Sequence, residues 1–278
     1  MLIDLHTHTS PLSWDSFLEP DELVERSKQS GLDAIVLSEH DASWDAEEVK
    51  ALSKRHNFIV LAGMEINTEE GHILVYGMHK YVFGMHRVSE LAGHVDESGG
   101  IMFQAHPYRR QHPWNWESEK EWVNAFERSE RNDALNYVHG LEVLNGRGKI
   151  NENQFAQILR DRLALPGTAG TDSHAVEDIG KCATYFDADI RSEDDLIDAL
   201  RNGRYWPLDV TKGEVTKNEK YWEVPQDLSR EFSDLALKRS LLTTDPEQQA
   251  TERLTLAENS VKAVSYTHLR AHETDSYL

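Results

Sequence analysis

The stretch Leu2-Ile3-Asp4-Leu5-His6-Thr7-His8-Thr9 opens the chain with a short apolar run that ends in two histidines. A helical pattern follows at 20–31, with a proline near its start and a glycine at its end. The apolar run at 34–37 then leads into Ser38-Glu39-His40-Asp41. This strand–helix–strand order, with polar residues directly after each strand, is the pattern that decides the fold.

The same alternation continues to about residue 210. Further apolar runs predict strands at 58–62, 73–76, 101–104, 140–144, 165–168, 183–186 and 205–208. Helical periods predict helices at 46–55, 88–97, 117–131, 151–162 and 193–201. Repeated strand–helix units favour a parallel sheet, and this number of units favours an α/β barrel.

Charge and cysteine content limit the classes of function. The 278 residues include 29 basic and 49 acidic side chains, a net charge of −20 with neutral histidines, which disfavours binding to long nucleic acids. The single cysteine, Cys182, excludes an internal disulfide and fits a reducing compartment, so we expect a cytoplasmic protein. The sequence lacks both a run of roughly 20 apolar residues and a signal-peptide pattern, so we expect no association with a membrane.

The C-terminal part differs from the rest in composition. Residues 211–263 are polar, with possible helices at 228–241 and 246–257, and we expect them to form a small appendage. Residues 264–278 resemble the translation of an adapter used in sequencing libraries, so we interpret them as a read-through scar. Two histidines of that segment, His268 and His272, are therefore left out of the functional interpretation.

Metal-ligand side chains lie where the predicted strands end. They are His6 and His8, His40, Glu65, His106, and Asp172 with His174, and His72 precedes the short run at 73–76. In a βα barrel the C-terminal strand ends meet at one face, where the chemistry takes place. A single histidine at a strand end is more often structural, but so many at one end of a sheet predict a multinuclear metal site. Mixed imidazole and carboxylate ligands favour Zn, Mn or Fe.

The remaining histidines do not follow this pattern. We interpret them as surface or structural residues, and they are His56, His79, His86, His94, His112 and His139. His79 is an alternative to His72, because both lie on the same stretch of chain, and we favour His72.

Six segments together resemble the PHP (polymerase and histidinol phosphatase) family over about residues 1–210. They are Leu5-His6-Thr7-His8-Thr9 with Asp15 and Pro20-Asp21-Glu22-Leu23, Ser38-Glu39-His40-Asp41, Gly63-Met64-Glu65-Ile66 with Gly71-His72-Ile73-Leu74, Ala105-His106-Pro107, Asp172-Ser173-His174, and the segment 140–147. The match departs from the family at one point, because Trp14-Asp15-Ser16 stands where the family often has Ser-Asp-Gly.

The resemblance implies a distorted (β/α)7 TIM-like barrel that binds about two to three divalent ions of Mn, Fe or Zn. It implies nine ligands, with Glu65 bridging two ions: His6, His8, Asp15, His40, Glu65, His72, His106, Asp172 and His174. It further implies hydrolysis of a small phosphoester by a metal-activated hydroxide, in which Glu65 and His174 take part in catalysis.

Three arginines just beyond strand ends are candidates for binding the phosphate. Arg109, Arg110 and Arg147 suit this role because guanidinium groups form paired hydrogen bonds with phosphate, although each could be a solvated loop residue. We expect Glu39 and Asp41 to orient ligand imidazoles. The aromatic residues in the loop 108–116 could stack on a nucleobase, but we favour the interpretation that they anchor the loop.

Other functions remain open at this stage. A nuclease acting on mononucleotides or short oligonucleotides is compatible with the charge, and inactive PHP modules exist, although those lose ligands that are all present in this chain. An amidohydrolase-type site is disfavoured, because such sites normally use a bridging lysine and a lone late aspartate. Oligomeric state and substrate identity are not determined by the sequence.

Overall fold

A computed structural model describes residues 1–109 and 111–211, together with the backbone of 214–215. Arg110, most of the predicted appendage with its two helices, and the segment 264–278 lie outside the described residues. None of the described helices is both long enough and apolar enough to cross a membrane.

The described residues form ten strands and six α-helices. The strands are β1 Leu2–Thr7, β2 Ala34–His40, β3 Ile59–Thr68, β4 Gly71–Tyr76, β5 Ile101–Gln104, β6 Gly140–Asn145, β7 Gly167–Gly170, β8 Cys182–Phe186, β9 Tyr205–Asp209 and β10 Glu214–Val215. The helices are α1 Pro20–Gln29, α2 Ala46–His56, α3 Val88–Ser98, α4 Glu119–Ser129, α5 Ile150–Leu163 and α6 Glu193–Asn202. Short 3-10 turns at Asp133–Asn136 and Val176–Asp178 complete the described elements.

The strands form one sheet in the order β10-β9-β8-β1-β2-β3-β4-β5-β6-β7, which curls into a nearly closed barrel. The predicted α/β barrel is therefore confirmed. The sheet is not wholly parallel, because β4 runs antiparallel to both β3 and β5, and β8 runs antiparallel to β1 and β9. Only a tight turn separates β3 from β4, and a parallel pair would need a longer crossover connection.

Backbone hydrogen bonds close the barrel between its first and seventh strands. The Asp172 N–H donates to the His6 carbonyl at 2.7 Å, and the His8 N–H donates to the Ser173 carbonyl at 3.1 Å. At its other end β1 pairs instead with β8, through Leu2 and Ile3. Along one edge, β1 thus has two different neighbours: β8 at its N-terminal end and the segment after β7 at its C-terminal end.

Apolar side chains on alternate strand positions fill two layers. Those on the outer face pack under the helices, as Val60 does with residues of α1 and α2, and as Met64 does with residues of α3. Those on the other face, such as Leu61, pack with Leu196 and Leu200 of α6. Because Arg201 of α6 donates to the carbonyls of Gly99 and Gly100 just before β5, this helix covers the N-terminal end of the barrel and leaves the opposite end open.

Closure of the barrel requires a glycine at position 170. A Cβ added there would collide with the Cβ of His6 and lie 2.8 Å from the His6 backbone nitrogen. We expect Gly170→Ala to lower the free energy of unfolding by about 1–3 kcal/mol, the usual cost of overpacking. Denaturant unfolding followed by circular dichroism measures this change.

Gly93 in α3 provides the matched control, since a Cβ there meets nothing within 4 Å. Gly93→Ala should leave stability unchanged or raise it by about 0.5–1 kcal/mol, because alanine favours the helix. If the two substitutions changed the free energy of unfolding equally, the close contact between β7 and β1 would not be the reason for glycine at position 170.

Candidate metal centre

The open end of the barrel brings together all nine ligand-type residues named from the sequence. β1 and the loop after it bring His6, His8 and Asp15, while β2 and β3 bring His40 and Glu65. His72 lies on β4, His106 follows β5, and Asp172 and His174 follow β7. Because the six parallel strands end at this face and β4 begins there, residues far apart in sequence meet.

Glu65 is at the centre of the cluster and is fully buried. Its Oε1 lies 2.8 Å from His72 Nδ1 and 2.8 Å from His106 Nε2. Its Oε2 lies 3.0 Å from His40 Nδ1, and the Nε2 atoms of His8 and His6 are 3.3 and 3.4 Å away. One carboxylate therefore faces five imidazoles, with a separate group of nitrogens around each of its oxygens, as a bridging ligand requires.

Asp172 forms a second anionic centre. Its Oδ1 lies 3.4 Å from His8 Nε2 and 3.5 Å from His174 Nδ1. Its backbone φ of 54° lies in the left-handed region, which costs free energy for a residue other than glycine. The hydrogen bond from its N–H to the His6 carbonyl helps to hold this conformation and directs the carboxylate inward.

Asp15 completes the cluster at its outer edge. Its Oδ2 lies 3.2 Å from His174 Nε2 and 3.5 Å from His40 Nε2, and its side chain is 31% exposed. The cluster thus passes from a fully buried interior around Glu65 to a margin that solvent reaches.

Unsatisfied buried atoms indicate that the cluster fits metal ions. Five buried ligand atoms of the cluster lack a hydrogen-bond partner among the described residues, and they are Asp15 Oδ1, His40 Nδ1, Glu65 Oε2, Asp172 Oδ1 and His174 Nε2. Such atoms are costly unless something binds them. Four overlapping groups of three or four residues each place their ligand atoms within 4.8 Å of one another, so the cluster is able to hold metal ions.

The charges of the cluster suit cations as well. Burial alone would raise the pKa of Glu65, but the charge of His6, the hydrogen bond with His106 and the close contact with His40 hold it well below its ordinary value. Burial likewise disfavours a proton on His8, yet the close carboxylates of Asp172 and Glu65 raise its pKa to about 9. Without metal, protons on His6 and His8 would therefore balance the buried carboxylates, and a bound cation would replace them.

Glu142 on β6 is a functional candidate that the sequence did not single out. Its Oε1 lies 2.9 Å from His6 Nδ1, and its Oε2 accepts hydrogen bonds from the His106 N–H at 2.9 Å and from Asn145 Nδ2 at 3.0 Å. It therefore orients His6, or joins His6 and His106 as a ligand. The signal available in the sequence was a lone acid within an apolar strand.

The two acids expected to orient imidazoles do not touch them. Glu39 accepts from the Ser13 hydroxyl at 2.5 Å, and Ser13 Oγ lies 3.1 Å from His8 Nδ1, so Glu39 acts on His8 only through Ser13. Asp41 accepts from the backbone and side chain of Asn67 and orients the chain beyond Glu65 instead.

A cleft of about 150 Å³ opens onto the cluster, and both described arginines line it. Arg109 Nη2 donates to Asp172 Oδ2 at 2.7 Å, and Arg147 Nη1 lies 2.8 Å from His174 Nδ1. Both arginine side chains remain 40–42% exposed, so they can also face an anion that enters the cleft.

The histidines outside the cluster have other contacts. His79, the alternative to His72, lies 3.1 Å from Glu193 and away from the cluster. His56 joins α2 to Asp21 and Glu25 of α1, and His112 stacks on Trp116. In the loop after β5, Tyr108 is buried and Trp116 packs against Trp122, whereas Trp114 is 96% exposed. Two of the three loop aromatics thus anchor it.

Two family matches cover most of the described chain. Residues 4–158 match the PHP domain, and residues 151–205 match the PHP-associated region. The first match covers more than half of the protein and includes every proposed ligand except Asp172 and His174, which lie within the second.

The chain is also similar to one further protein and to several solved structures. The uncharacterized protein MJ1587 of Methanocaldococcus jannaschii is 28% identical over 117 residues, which is 39% of this chain and 68% of that protein. Among solved structures, a two-domain protein from Bacteroides vulgatus that contains a predicted PHP-like metal-dependent phosphoesterase is similar, with a TM-score of 0.56 and 20% identity over 84% of this chain and 69% of that one. PsfC from Pseudomonas syringae gives a TM-score of 0.51 and 17% identity over 87% of this chain and 98% of its own. At these identities the structures show a shared fold, and the sequence matches show that the chain belongs to the PHP domain family.

Proposed function

We propose that the protein hydrolyses a small-molecule phosphoester at a site of about two to three divalent ions of Mn, Fe or Zn. The observation that carries this proposal is the convergence of five unsatisfied buried ligand atoms beside two arginines that line an open cleft. Bound cations would satisfy the buried atoms, and the arginines favour an anion next to them.

The proposed role of each residue follows from its position in the site. Metal ions bound by the cluster would lower the pKa of a water molecule and polarise a phosphoryl oxygen. Glu65 and Asp172 supply the negative charge that holds cations close together, and Glu142 fixes the ring of His6. Arg109 and Arg147 orient the phosphoryl group from the cleft side. His174 lies between Arg147 and Asp15. It therefore contacts a proposed phosphate-binding residue on one side and a proposed metal ligand on the other.

A nuclease acting on mononucleotides or short oligonucleotides is the second candidate. The net charge of −20 disfavours long polyanions, and the cleft of about 150 Å³ suits a single phosphoryl group. A non-catalytic metal-binding module is a weaker alternative, because no proposed ligand is missing from the cluster. We further propose that the protein acts in the cytoplasm on a freely diffusing phosphorylated compound.

One prediction of this proposal concerns metal content. Protein purified and reconstituted with Mn, Fe or Zn should bind about two to three equivalents, because ligand atoms form several overlapping groups. The double variant His6→Ala with His8→Ala should bind fewer ions, since it removes imidazoles from three of these groups. Elemental analysis after desalting measures the stoichiometry. A wild-type protein that retains no metal after reconstitution would contradict the proposed site.

The second prediction separates Glu65 from Arg147. Glu65→Gln keeps the shape of the side chain but removes its charge, so metal content and kcat should fall together, kcat by roughly 100-fold or more. Arg147→Ala should keep the full metal content and lower kcat/KM by roughly 10- to 150-fold, the equivalent of about 1.5–3 kcal/mol for a charged hydrogen bond. Metal analysis and kinetics on phosphomonoesters measure both effects.

Arg147→Lys is the matched control for the second variant, because it keeps the positive charge but not the paired donors. The kcat/KM of Arg147→Lys should lie between those of the wild type and Arg147→Ala. Full activity in Glu65→Gln would exclude Glu65 as a bridging ligand, and unchanged kinetics in Arg147→Ala would make that arginine a solvated loop residue.

A further inference from the structure

An exposed tryptophan lies at the mouth of the candidate metal centre. The Trp14 side chain is 86% exposed and lines the same cleft as Asp15, His40, His174 and Arg147. A single exposed ring is common on protein surfaces, but this one lines the cleft that opens onto the ligand residues.

The loop that carries Trp14 is held firmly. The Ser10 N–H donates to the Leu18 carbonyl at 2.8 Å, and the Phe17 N–H donates to the His174 carbonyl at 2.9 Å. The Ser16 hydroxyl donates to the His8 carbonyl at 2.8 Å. The exposure of Trp14 is therefore not a result of loose packing, because the backbone on both sides is fixed to ligand-bearing segments.

The size of the cleft places part of any ligand near the ring. A volume of about 150 Å³ is below the roughly 300–1,000 Å³ of pockets that enclose a whole small molecule. A phosphoryl group bound beside Asp15 and Arg147 would occupy part of this space. A bulky leaving group would extend beyond it, and Trp14 is the one tryptophan among the described residues that line the cleft.

We propose that Trp14 is a specificity-determining residue whose indole stacks on a planar aromatic leaving group, such as an aryl or nucleobase-bearing alcohol. This inference rests on the proposed phosphoesterase function and narrows it to a class of substrate. Stacking tolerates any ring with a flat π-face, so one indole selects planar groups over aliphatic ones without reading hydrogen bonds.

Trp114 offers a matched control on the same molecule. It is 96% exposed, but it does not line the cleft. Both residues can be changed to alanine with similar loss of exposed apolar surface, so effects on solubility and general surface character cancel between the two variants.

The experiment compares phenyl phosphate with glycerol phosphate on Mn-reconstituted protein. The ratio of their kcat/KM values should fall roughly tenfold in Trp14→Ala, as expected for loss of one stacking contact. The ratio should stay at the wild-type value in Trp114→Ala and be largely kept in Trp14→Phe, which retains a flat ring. An unchanged ratio in Trp14→Ala would overturn the proposal while leaving phosphoester hydrolysis intact.

A binding measurement separates this inference from the proposed function. Calorimetry with phenylphosphonate and methylphosphonate, which are not hydrolysed, should show a preference for the phenyl compound that Trp14→Ala removes and Trp114→Ala keeps. That result in a protein without hydrolytic activity would support the stacking role and refute only the proposed reaction. If Trp14→Ala instead dissociates an oligomer in sedimentation and leaves the preference unchanged, Trp14 is an interface residue and the proposal is wrong.

Discussion

The burial of Glu65 among five imidazoles is the constraint on which the rest of the molecule depends. A fully buried carboxylate is costly unless charged or hydrogen-bonding groups surround it. Here those groups come from β1, β2, β4 and the segment after β5, so no single element can satisfy it. Pairing distances of 2.8–3.4 Å require the strand ends to keep their relative positions closely. The barrel is therefore needed for the site itself and not only for a hydrophobic core.

Polar groups below the cluster maintain this arrangement. The buried carboxyl of Asp4 accepts hydrogen bonds from the backbone N–H groups of His6 and Thr171, at 3.2 and 2.9 Å, and from the Thr171 hydroxyl at 2.5 Å. It therefore joins β1 to the segment after β7 directly beneath the ligands that each one bears. Burial raises the pKa of Asp4 to about 7, although the hydrogen bonds from Thr171 oppose the shift. The Tyr76 hydroxyl, which donates to the Leu5 carbonyl at 3.0 Å, connects β4 to β1 in the same interior.

The sequence predicted the order of the strands and helices because apolar runs and helical periods are local signals. It also indicated residues such as His8 and His174, since ligand-type side chains recur directly after strands. It did not indicate Glu142, because one acid in an apolar strand resembles a chance polar residue until the neighbouring strands bring His6 and His106 to it. The antiparallel direction of β8 was missed for a similar reason, because pairing partners depend on contacts across the whole chain. The exposure of Trp14 likewise follows from the path of its loop and not from its local pattern.

The β3–β4 hairpin shows why the direction of a strand matters for the site. Parallel strands deliver ligands at their C-terminal ends, which is where Glu65 lies on β3. Because β4 runs the other way, its first residues lie at that same face, and His72 pairs with Asn67 across the hairpin. His79 follows the far end of β4 and lies beside Glu193 of α6, which covers the opposite end of the barrel. The reversal of one strand thus places a histidine next to the carboxylate seven residues before it, and a parallel β4 would have carried His72 to the wrong end of the barrel.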